Sequence, residues 1–313
     1  MNNEQLLHAL GELLLNKNKG ISINLAYENF INNAKVKCRT ETIIYYQKKW
    51  NILKNLLDQL NITNTSDVNK ISYNQVINLL MLKGYKNSSI NKFTDVLKQI
   101  IKVNVELEYI SHSQIANIKK LKEDIPNIKT ISEENINNIL KYMKNKKPNF
   151  INVRNYLIIL LLNDTGARIN EIVNIELKNI KNDFKAIYLS FTKTNKPRWV
   201  FLQEETINTL KTYLKWHNGN KYLLLSEFGE QIKRDSIYNF LEKLKNDLKI
   251  NQSITPHIWR HTFATNLIRN KVNLEVVMDV LGHTEYTTTK RYLHLEIEER
   301  QEIILKALKK SVD

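Results

Sequence analysis

Cysteine, glycine and proline are scarce in this chain of 313 residues. The single cysteine, Cys38, excludes a disulfide framework within the chain, and no Cys/His cluster has the spacing of zinc ligands. Seven glycines and four prolines are few for this length, which predicts a mainly helical chain with few turns. The sequence has no apolar run of membrane-spanning length and no secretory signal, so it predicts an intracellular, cytoplasmic protein.

Acidic residues are also in the minority. Lys and Arg total 47 against 32 Asp and Glu, which gives a formal charge of +15. The basic excess is spread over both halves of the chain, as is typical of a protein that contacts a polyanion over a long surface. Nucleic acid is the first candidate for that polyanion. Charge alone leaves a protein with a merely lysine-rich surface equally open.

Helical periodicity divides the sequence into two regions with a break between them. Residues 1–110 carry apolar stripes at helical spacing and are predicted to form a bundle of four or five helices. Residues 111–130 lose that pattern, carry clustered lysines and contain Pro126, so they are predicted to form a basic linker. A surface loop inside one domain is the alternative for this segment. The helices of the bundle are predicted over 3–15, 24–33, 40–60, 76–82 with Ser72 as N-cap, and about 88–103.

Residues 131–313 combine helices with a short β-rich segment. Ser132, followed by two glutamates, is a typical helix start. Strands are predicted over 186–191 and 198–202, with a third over 221–225. Further helices are predicted over 156–162, 168–177, 204–214, 235–248, 257–269, 273–281, 285–293 and 297–310. The fold class is therefore mainly α with a small β-sheet.

An ordered set of arginine, histidine and tyrosine in the second region suits phosphate chemistry. Arg168 stands where a loop becomes a helix, beside a helix N-terminus that favours anions. His257 and Arg260 are three positions apart and therefore share one helical face. An arginine can hold two phosphate oxygens, and a histidine can move a proton near neutral pH. His283 and Tyr292 follow, and a tyrosine hydroxyl can act as a nucleophile.

A cationic turn over 192–198 adds a candidate general acid. A lysine at the tip of such a turn can protonate a leaving alkoxide and neutralise its charge. Lys193 and Lys196 are the two candidate lysines of this turn. Read alone, the segment is better explained as a solvated charged turn.

Each of these residues also has a purely structural explanation when it is read alone. Arg168 and Glu171 could form an ordinary surface pair, although Glu171 could also orient the arginine. His261 is predicted to point away from His257 and Arg260. Tyr286 competes with Tyr292 as the nucleophile, and tyrosines on amphipathic helices are more often core residues.

Taken together, these stretches resemble the tyrosine recombinase (phage integrase) family. The matching segments are TGARINE at 165–171, TKTNKPR at 192–198, TPHIWRHTFAT at 255–265, LGH at 281–283, and Tyr292. The resemblance implies an α+β catalytic domain over 131–313, and residues 1–110 fit the family's helical core-binding (SAM-like) domain loosely. The family turn commonly has glycines beside the lysine, whereas Thr192 and Thr194 stand here, so Lys193 is the least secure assignment.

The resemblance implies a site-specific recombinase or integrase that cleaves and rejoins DNA through a 3′-phosphotyrosine and a Holliday junction. Tyr292 would attack the scissile phosphate, His257 would assist its proton transfer, and Lys193 would protonate the leaving 5′-oxygen. The phosphate would be held by the remaining three site residues, Arg168, Arg260 and His283. Neither ATP nor a metal ion is expected as a cofactor, because the phosphotyrosine keeps the bond energy.

The implied partners are double-stranded DNA and other copies of the chain. The family resemblance implies a homotetramer on two DNA sites, with the C-terminal helix over 296–310 docked on a neighbouring subunit and with accessory DNA-bending proteins. Three alternatives use the same fold: a type IB-like DNA relaxing enzyme, a telomere resolvase, and a catalytically idle DNA-binding protein.

Overall fold

The computed structural model describes residues 20–123, 129–181, 183–190 and 197–282. The chain divides into two compact units, Met1–Pro126 and Asn127–Asp313. Several predictions lie outside the described residues: the helices over 3–15, 285–293 and 297–310, and Lys193, Lys196, His283, Tyr286 and Tyr292. Among the helices that are described, none is both long and apolar enough to cross a membrane.

Amphipathic helices build the first unit around one apolar core. In its described residues they are α1 (Ile23–Lys37), α2 (Thr40–Gln59), α3 (Lys70–Leu82) and α4 (Asn87–Glu106), with a 3₁₀ turn at Thr65–Asp67. Each helix buries one apolar stripe in a shared core, to which Phe30, Leu57, Val76 and Ile100 contribute. The helical bundle predicted from the periodicity is thus confirmed.

The start of α3 differs from the prediction that Ser72 caps it. Asn69 is the N-cap, and its side chain accepts hydrogen bonds from the backbone N–H groups of Ile71 and Ser72. Ser72 occupies the third helical position, where its hydroxyl accepts from the Asn69 N–H at 2.9 Å. The two side chains form a reciprocal capping box, so the helix begins before the serine that the sequence pattern singled out.

Residues 111–123, which were predicted as linker, pack on the first unit. Ile115 is fully buried in the core of the helical bundle. The Asn91 side chain of α4 bonds the backbone of Leu121 twice, accepting from its N–H and donating to its carbonyl, both at 2.9 Å. Lys120 pairs with Asp95 at 2.6 Å. This segment therefore packs against α4. Its apolar side chains enter the core of the bundle, and polar side chains of α4 bind its backbone and its lysine.

The second unit surrounds one long apolar helix. Its described helices are α5 (Glu133–Lys144), α6 (Phe150–Thr165), α7 (Ile169–Val173), α8 (Glu204–Leu214), α9 (Arg234–Asp247), α10 (Pro256–Arg269) and α11 (Leu274–Leu281). Residues 156–162 of α6 are all buried, so this stretch of the helix is apolar on every side and forms the centre of the core. Ser132 caps α5 as predicted, accepting from the Asn135 N–H.

A small antiparallel sheet lies in the second unit, with the order β1-β2-β3. Its strands are β1 (Ile180–Lys181), β2 (Ala186–Leu189) and β3 (Arg198–Phe201). The prediction of a third strand over 221–225 is wrong. Leu223, Leu224 and Leu225 are instead buried, and Leu225 forms an isolated bridge with Gln231. Their apolar run reflects burial on all sides and not pairing in the sheet.

The helix predicted over 168–177 is shorter in the structure. α7 ends at Val173, and Leu177–Asn179 forms a separate 3₁₀ turn. The backbone between them bonds elsewhere: the Leu177 N–H donates to Lys221 O at 3.0 Å, and the Leu223 N–H donates to Ile175 O at 2.7 Å. These groups are satisfied by a distant segment, which a reading of local periodicity does not reveal.

Candidate active site

The turn between α6 and α7 presents the first arginine. Gly166 ends α6 with a left-handed φ of 55°. A Cβ at this position would lie 2.3 Å from the ring of Phe263 on α10, so both the φ and the close packing require glycine. Arg168 is the N-cap of α7, at the loop-to-helix junction that the sequence predicted. Its backbone N–H donates to Glu171 Oε2 at 2.7 Å, which closes the turn.

Glu171 lies between two arginines. Its side chain is buried, with 2% of its surface exposed. Arg168 Nη1 contacts Glu171 Oε1 at 3.1 Å. Arg198, from β3, binds the same carboxylate with two nitrogens, Nη1 to Oε1 at 3.0 Å and Nη2 to Oε2 at 2.8 Å. Glu171 thus orients Arg168, and a bidentate partner orients Glu171.

Arg198 is a site residue that the sequence analysis missed. It lies in the strand that follows the cationic turn, and it points inward with Val200 while Trp199 and Phe201 are exposed. The signal was available, because a charged side chain at an inward-facing strand position needs a buried partner. The identity of that partner could not be read from the sequence, because Glu171 is distant from Arg198 along the chain.

Arg198 also contacts the end of α11. Its Nε donates to Val280 O. A Cβ on Gly282 would lie 3.0 Å from Arg198 Nη1, and Gly282 has a left-handed φ of 64°. Glycine therefore both ends α11 and leaves room for the guanidinium. The strand after the cationic turn is thereby joined to the residue that precedes His283 in the sequence.

The second arginine, Arg260, joins the ends of two helices. It lies on α10, which starts at Thr255-Pro256 with proline in its first turn, as predicted. Arg260 has 4% of its surface exposed. Its Nη1 donates to Gly166 O at 2.8 Å and its Nη2 donates to Leu281 O at 2.6 Å. Both carbonyls lie at helix C-termini, whose partial negative charge suits a cation.

Arg168 and Arg260 meet at the end of α11. Arg168 Nη2 lies 3.5 Å from Gly282 O, next to the Leu281 carbonyl that Arg260 binds. Arg260 also binds Gly166 O, two positions before Arg168 in the turn. The structure therefore brings together two arginines that are far apart in the chain, and it surrounds both with fixed backbone oxygens.

His257 lies on α10 one turn before Arg260 and is exposed. The prediction that His261 points elsewhere is wrong. His261 Nε2 is 2.9 Å from His257 Nε2, and the ring centroids are 4.2 Å apart. Positions four apart on a helix are neighbours, so the spacing itself predicts this contact.

The carboxyl of Glu171 has a lowered pKa. Burial alone would raise it, but the hydrogen bonds and charge of Arg198, followed by the N–H and charge of Arg168, outweigh burial. A lowered pKa means that the ionised form stabilises the folded state. That contribution is fully present above the ordinary value of 4.5 and is lost as the pH falls through the folded-state pKa.

We therefore expect Glu171→Gln to lower the free energy of unfolding at pH 7 by about 3 kcal/mol, because the buried guanidinium of Arg198 and the partly buried guanidinium of Arg168 lose their counter-charge. The same substitution should flatten the acid dependence of stability below pH 4.5, where the wild type loses this contribution. Denaturant unfolding at pH 7 and between pH 3 and 4.5 measures both effects. Glu227→Gln, at an exposed loop position, is the control. Equal stability of the two variants at pH 7 would contradict the role assigned to Glu171.

Comparison with known proteins places this chain in a family. The model of the phage integrase family matches residues 129–299, more than half of the chain. The chain belongs to the phage integrase family. The tyrosine recombinase XerA of Saccharolobus solfataricus is 32% identical over 212 residues, covering 68% of this chain and 67% of XerA. The tyrosine recombinase XerD of Staphylococcus saprophyticus is 26% identical over 268 residues, covering 82% of this chain and 88% of XerD.

Among solved structures, the Tn1549 transposon integrase is similar with a TM-score of 0.75 and 17% identity, covering 92% of this chain and 100% of that one. This likeness concerns the fold, and it confirms the predicted combination of helical bundle and mixed catalytic unit. The protein is a tyrosine recombinase, an enzyme that transfers DNA strands in site-specific recombination. The relaxing-enzyme, telomere-resolvase and idle-protein alternatives are not favoured.

Of the six site residues predicted from the recombinase sequence, three are described. The structure brings Arg168 and Arg260 together at the end of α11, and it places His257 on the helix that carries Arg260. Lys193, His283 and Tyr292 lie outside the described residues.

Proposed function

We propose that Arg168 and Arg260 bind the phosphate in the recombinase active site and that His257, on the same helix as Arg260, assists proton transfer there. The observation that carries this proposal is the convergence of the two arginines on the carbonyls of Leu281 and Gly282. A guanidinium held by fixed backbone oxygens is already in position, so it can bind a phosphate without reorganisation.

The charge of this cluster suits a phosphodiester. Arg168, Arg198 and Arg260 supply three positive charges against the one negative charge of Glu171, so the contacts described here leave an excess of two (3 − 1 = 2). The transition state of phosphoryl transfer gathers more negative charge on its oxygens than the ground state. Preorganised positive groups therefore stabilise it more than they stabilise bound DNA.

The proposed reaction starts at Tyr292. Its oxygen attacks the scissile phosphorus, its proton leaves with the help of His257, and the bond from phosphorus to the 5′-oxygen breaks. Lys193, with Lys196 as the alternative, donates a proton to that leaving oxygen. His283 supports the phosphate by a hydrogen bond. The products are a 3′-phosphotyrosine and a free 5′-hydroxyl.

Rejoining reverses these roles on a partner strand. The 5′-hydroxyl of the partner duplex attacks the phosphotyrosine, releases Tyr292 and yields a Holliday junction after the first exchange. Each phosphodiester bond that breaks is replaced by another phosphodiester bond, so the proposed cycle uses no ATP. The resemblance to the family supports this sequence of steps.

DNA is the partner of this recombinase, and its assembly is a proposal. The related Tn1549 integrase is described in a complex with a circular intermediate DNA. We propose that residues 1–110 bind DNA as the core-binding domain, that 111–130 link it to the catalytic domain over 131–313, and that four subunits act on two sites. In this proposal the segment over 296–310 docks on a neighbouring subunit, and accessory DNA-bending proteins assist. That the protein acts on its DNA in the cytoplasm stays a prediction.

Trapping the covalent intermediate tests this function. A nicked DNA substrate that loses its 5′-hydroxyl fragment by diffusion should accumulate a protein–DNA adduct. Trypsin separates the two candidate nucleophiles, because residues 272–290 contain Tyr286 and residues 292–300 contain Tyr292. After nuclease treatment, mass spectrometry should find the nucleotide on the peptide 292–300. A nucleotide on 272–290, or no adduct with a substrate that the protein binds, would contradict the proposal.

A further inference from the structure

Arg198 is buried within the site, and the proposed reaction assigns it no step. Each of its three guanidinium nitrogens donates to a protein oxygen: Nε to Val280 O, Nη1 to Glu171 Oε1 and Nη2 to Glu171 Oε2. Its side chain has 5% of its surface exposed. A buried guanidinium that uses every nitrogen on the protein is suited to holding other groups in place, and not to binding a phosphate itself.

Arg168, which is proposed to bind the phosphate, is held less firmly. Its side chain has 25% of its surface exposed. In the part of the chain that the structure describes, its guanidinium contacts Glu171 Oε1 at 3.1 Å and Gly282 O at 3.5 Å. An arginine side chain loses much rotamer entropy when it is fixed, so a partly exposed one needs firmly placed partners to keep one position.

Both of these partners of Arg168 are groups that Arg198 contacts. Glu171 accepts from Arg198 twice, at 3.0 and 2.8 Å. Gly282 lies two positions after Val280, the residue whose carbonyl accepts from Arg198 Nε, and a Cβ on Gly282 would lie 3.0 Å from Arg198 Nη1. Arg198 therefore packs against the carboxylate and against the helix end that together hold Arg168.

The end of α11 is held by arginines along its last turn. Three consecutive carbonyls each contact a different guanidinium: Val280 O that of Arg198, Leu281 O that of Arg260 and Gly282 O that of Arg168. Carbonyls at a helix C-terminus carry partial negative charge, which favours such contacts. Because Arg198 also binds Glu171 with two nitrogens, it connects this helix end to α7 through bonds that are shielded from water.

We propose that Arg198 is a positioning residue for DNA cleavage by this recombinase: it fixes Glu171 and the end of α11 where they hold the Arg168 guanidinium on the scissile phosphate. This inference rests on the proposed function, because Arg198 acts through Arg168. The benefit of a preorganised cation depends on its exact place, and a displacement of about 1 Å can slow a reaction about 100-fold.

Arg198→Lys tests this role in single-turnover cleavage of the nicked substrate with enzyme in excess. Lysine keeps the charge, but its ammonium group lacks the planar fork that binds Glu171 twice and Val280 O as well. Cleavage should be about 10- to 100-fold slower than in the wild type. The dissociation constant for DNA should stay within about threefold, because binding depends on many phosphate contacts.

Arg154→Lys is the matched control for this substitution. Arg154 is a half-buried arginine of α6 in the same unit, and its Nη1 donates to Leu225 O at 2.9 Å. The control therefore makes the same chemical change at an arginine that holds a backbone carbonyl away from the two phosphate-binding arginines. It should cleave at the wild-type rate.

Two further measurements decide whether Arg198 acts through Arg168. Arg168→Ala alone should slow cleavage about 100- to 1,000-fold, and adding Arg198→Lys to it should cost less than about threefold more. A methylphosphonate at the scissile position, in which methyl replaces a non-bridging oxygen, carries no charge and depends less on Arg168. On the methylphosphonate isomer that Arg168→Ala tolerates best, the loss caused by Arg198→Lys should also shrink to less than about threefold. A mere loss of folded protein would slow both substrates equally.

A second variant separates positioning from folding. Replacing Arg198 and Glu171 together with methionine removes the buried ion pair and fills its place with apolar side chains, a change that often leaves stability unaltered. This double variant should unfold near the wild-type denaturant midpoint and still cleave at least about 10-fold more slowly than the wild type.

The results that would overturn the inference are specific. They are a wild-type cleavage rate of Arg198→Lys or of the double methionine variant, an undiminished effect of Arg198→Lys in the Arg168→Ala background, and an equal loss on the charged and the neutral substrate. A wild-type rate of Arg168→Ala would instead refute the proposed function, because Arg168 would then not bind the scissile phosphate.

Discussion

Replacing Tyr292 with phenylalanine is expected to abolish the covalent protein–DNA adduct. The substitution removes one hydroxyl oxygen and leaves the ring, so the chain loses its nucleophile and keeps the same side-chain volume. DNA binding should stay at the wild-type level, because binding depends on the basic surface and the arginines. Adduct formation on the nicked substrate, measured together with a binding isotherm, separates the two effects.

Tyr286→Phe is the matched control for this experiment. It changes the competing tyrosine of the same segment in the same way, and it should form adduct at the wild-type rate. Adduct that survives in Tyr292→Phe and disappears in Tyr286→Phe would transfer the role of nucleophile to Tyr286. The tryptic peptides 272–290 and 292–300 provide the same distinction in the wild-type chain.

Arg260→Ala is expected to have the second largest effect. Loss of one well-placed donor to a charged transition state typically slows a reaction about 100- to 1,000-fold. Because Arg260 also binds Gly166 O and Leu281 O in a buried site, the same substitution should lower the free energy of unfolding by about 3–5 kcal/mol. Single-turnover cleavage and denaturant unfolding measure the two losses independently.

Arg260→Lys separates charge from geometry. A lysine keeps the positive charge but lacks the planar fork that reaches two carbonyls at once, so it should restore stability in part and cleavage only slightly. Arg269→Ala, at the exposed end of the same helix, should change stability by less than about 1 kcal/mol. A cleavage rate of Arg260→Ala within tenfold of the wild-type rate would refute the proposed role of Arg260 in phosphate binding.

Local patterns were sufficient for most helices of this protein. The helix over 204–214 has the predicted limits, and Ser132 and Pro256 start their helices as expected. Caps, apolar spacing and glycine stops act within a few residues, so they can be read from a short window. The strand predicted over 221–225 failed because a run of three buried leucines has the same composition whether it pairs in a sheet or fills a core.

The contacts of the site were less predictable. The neighbours His257 and His261 follow from helical spacing, and the opposite expectation for His261 neglected that spacing. Arg198 could be suspected from its inward position on a strand, but its partner Glu171 is 27 positions away. Nothing in a local window connects the two, because they meet only when β3 packs beside α7 and the end of α11.

By itself the sequence determined the family and the candidate chemistry, because phosphate chemistry requires arginine, histidine and tyrosine in an order and spacing that few other functions need. The tertiary structure alone decided how the arginines are held. One buried carboxylate orients Arg168 and Arg198, and two helix ends supply the carbonyls that hold Arg260. Such arrangements depend on packing between distant segments. A buried charge without a partner is strongly destabilising, so the packed structure must supply one for each buried arginine.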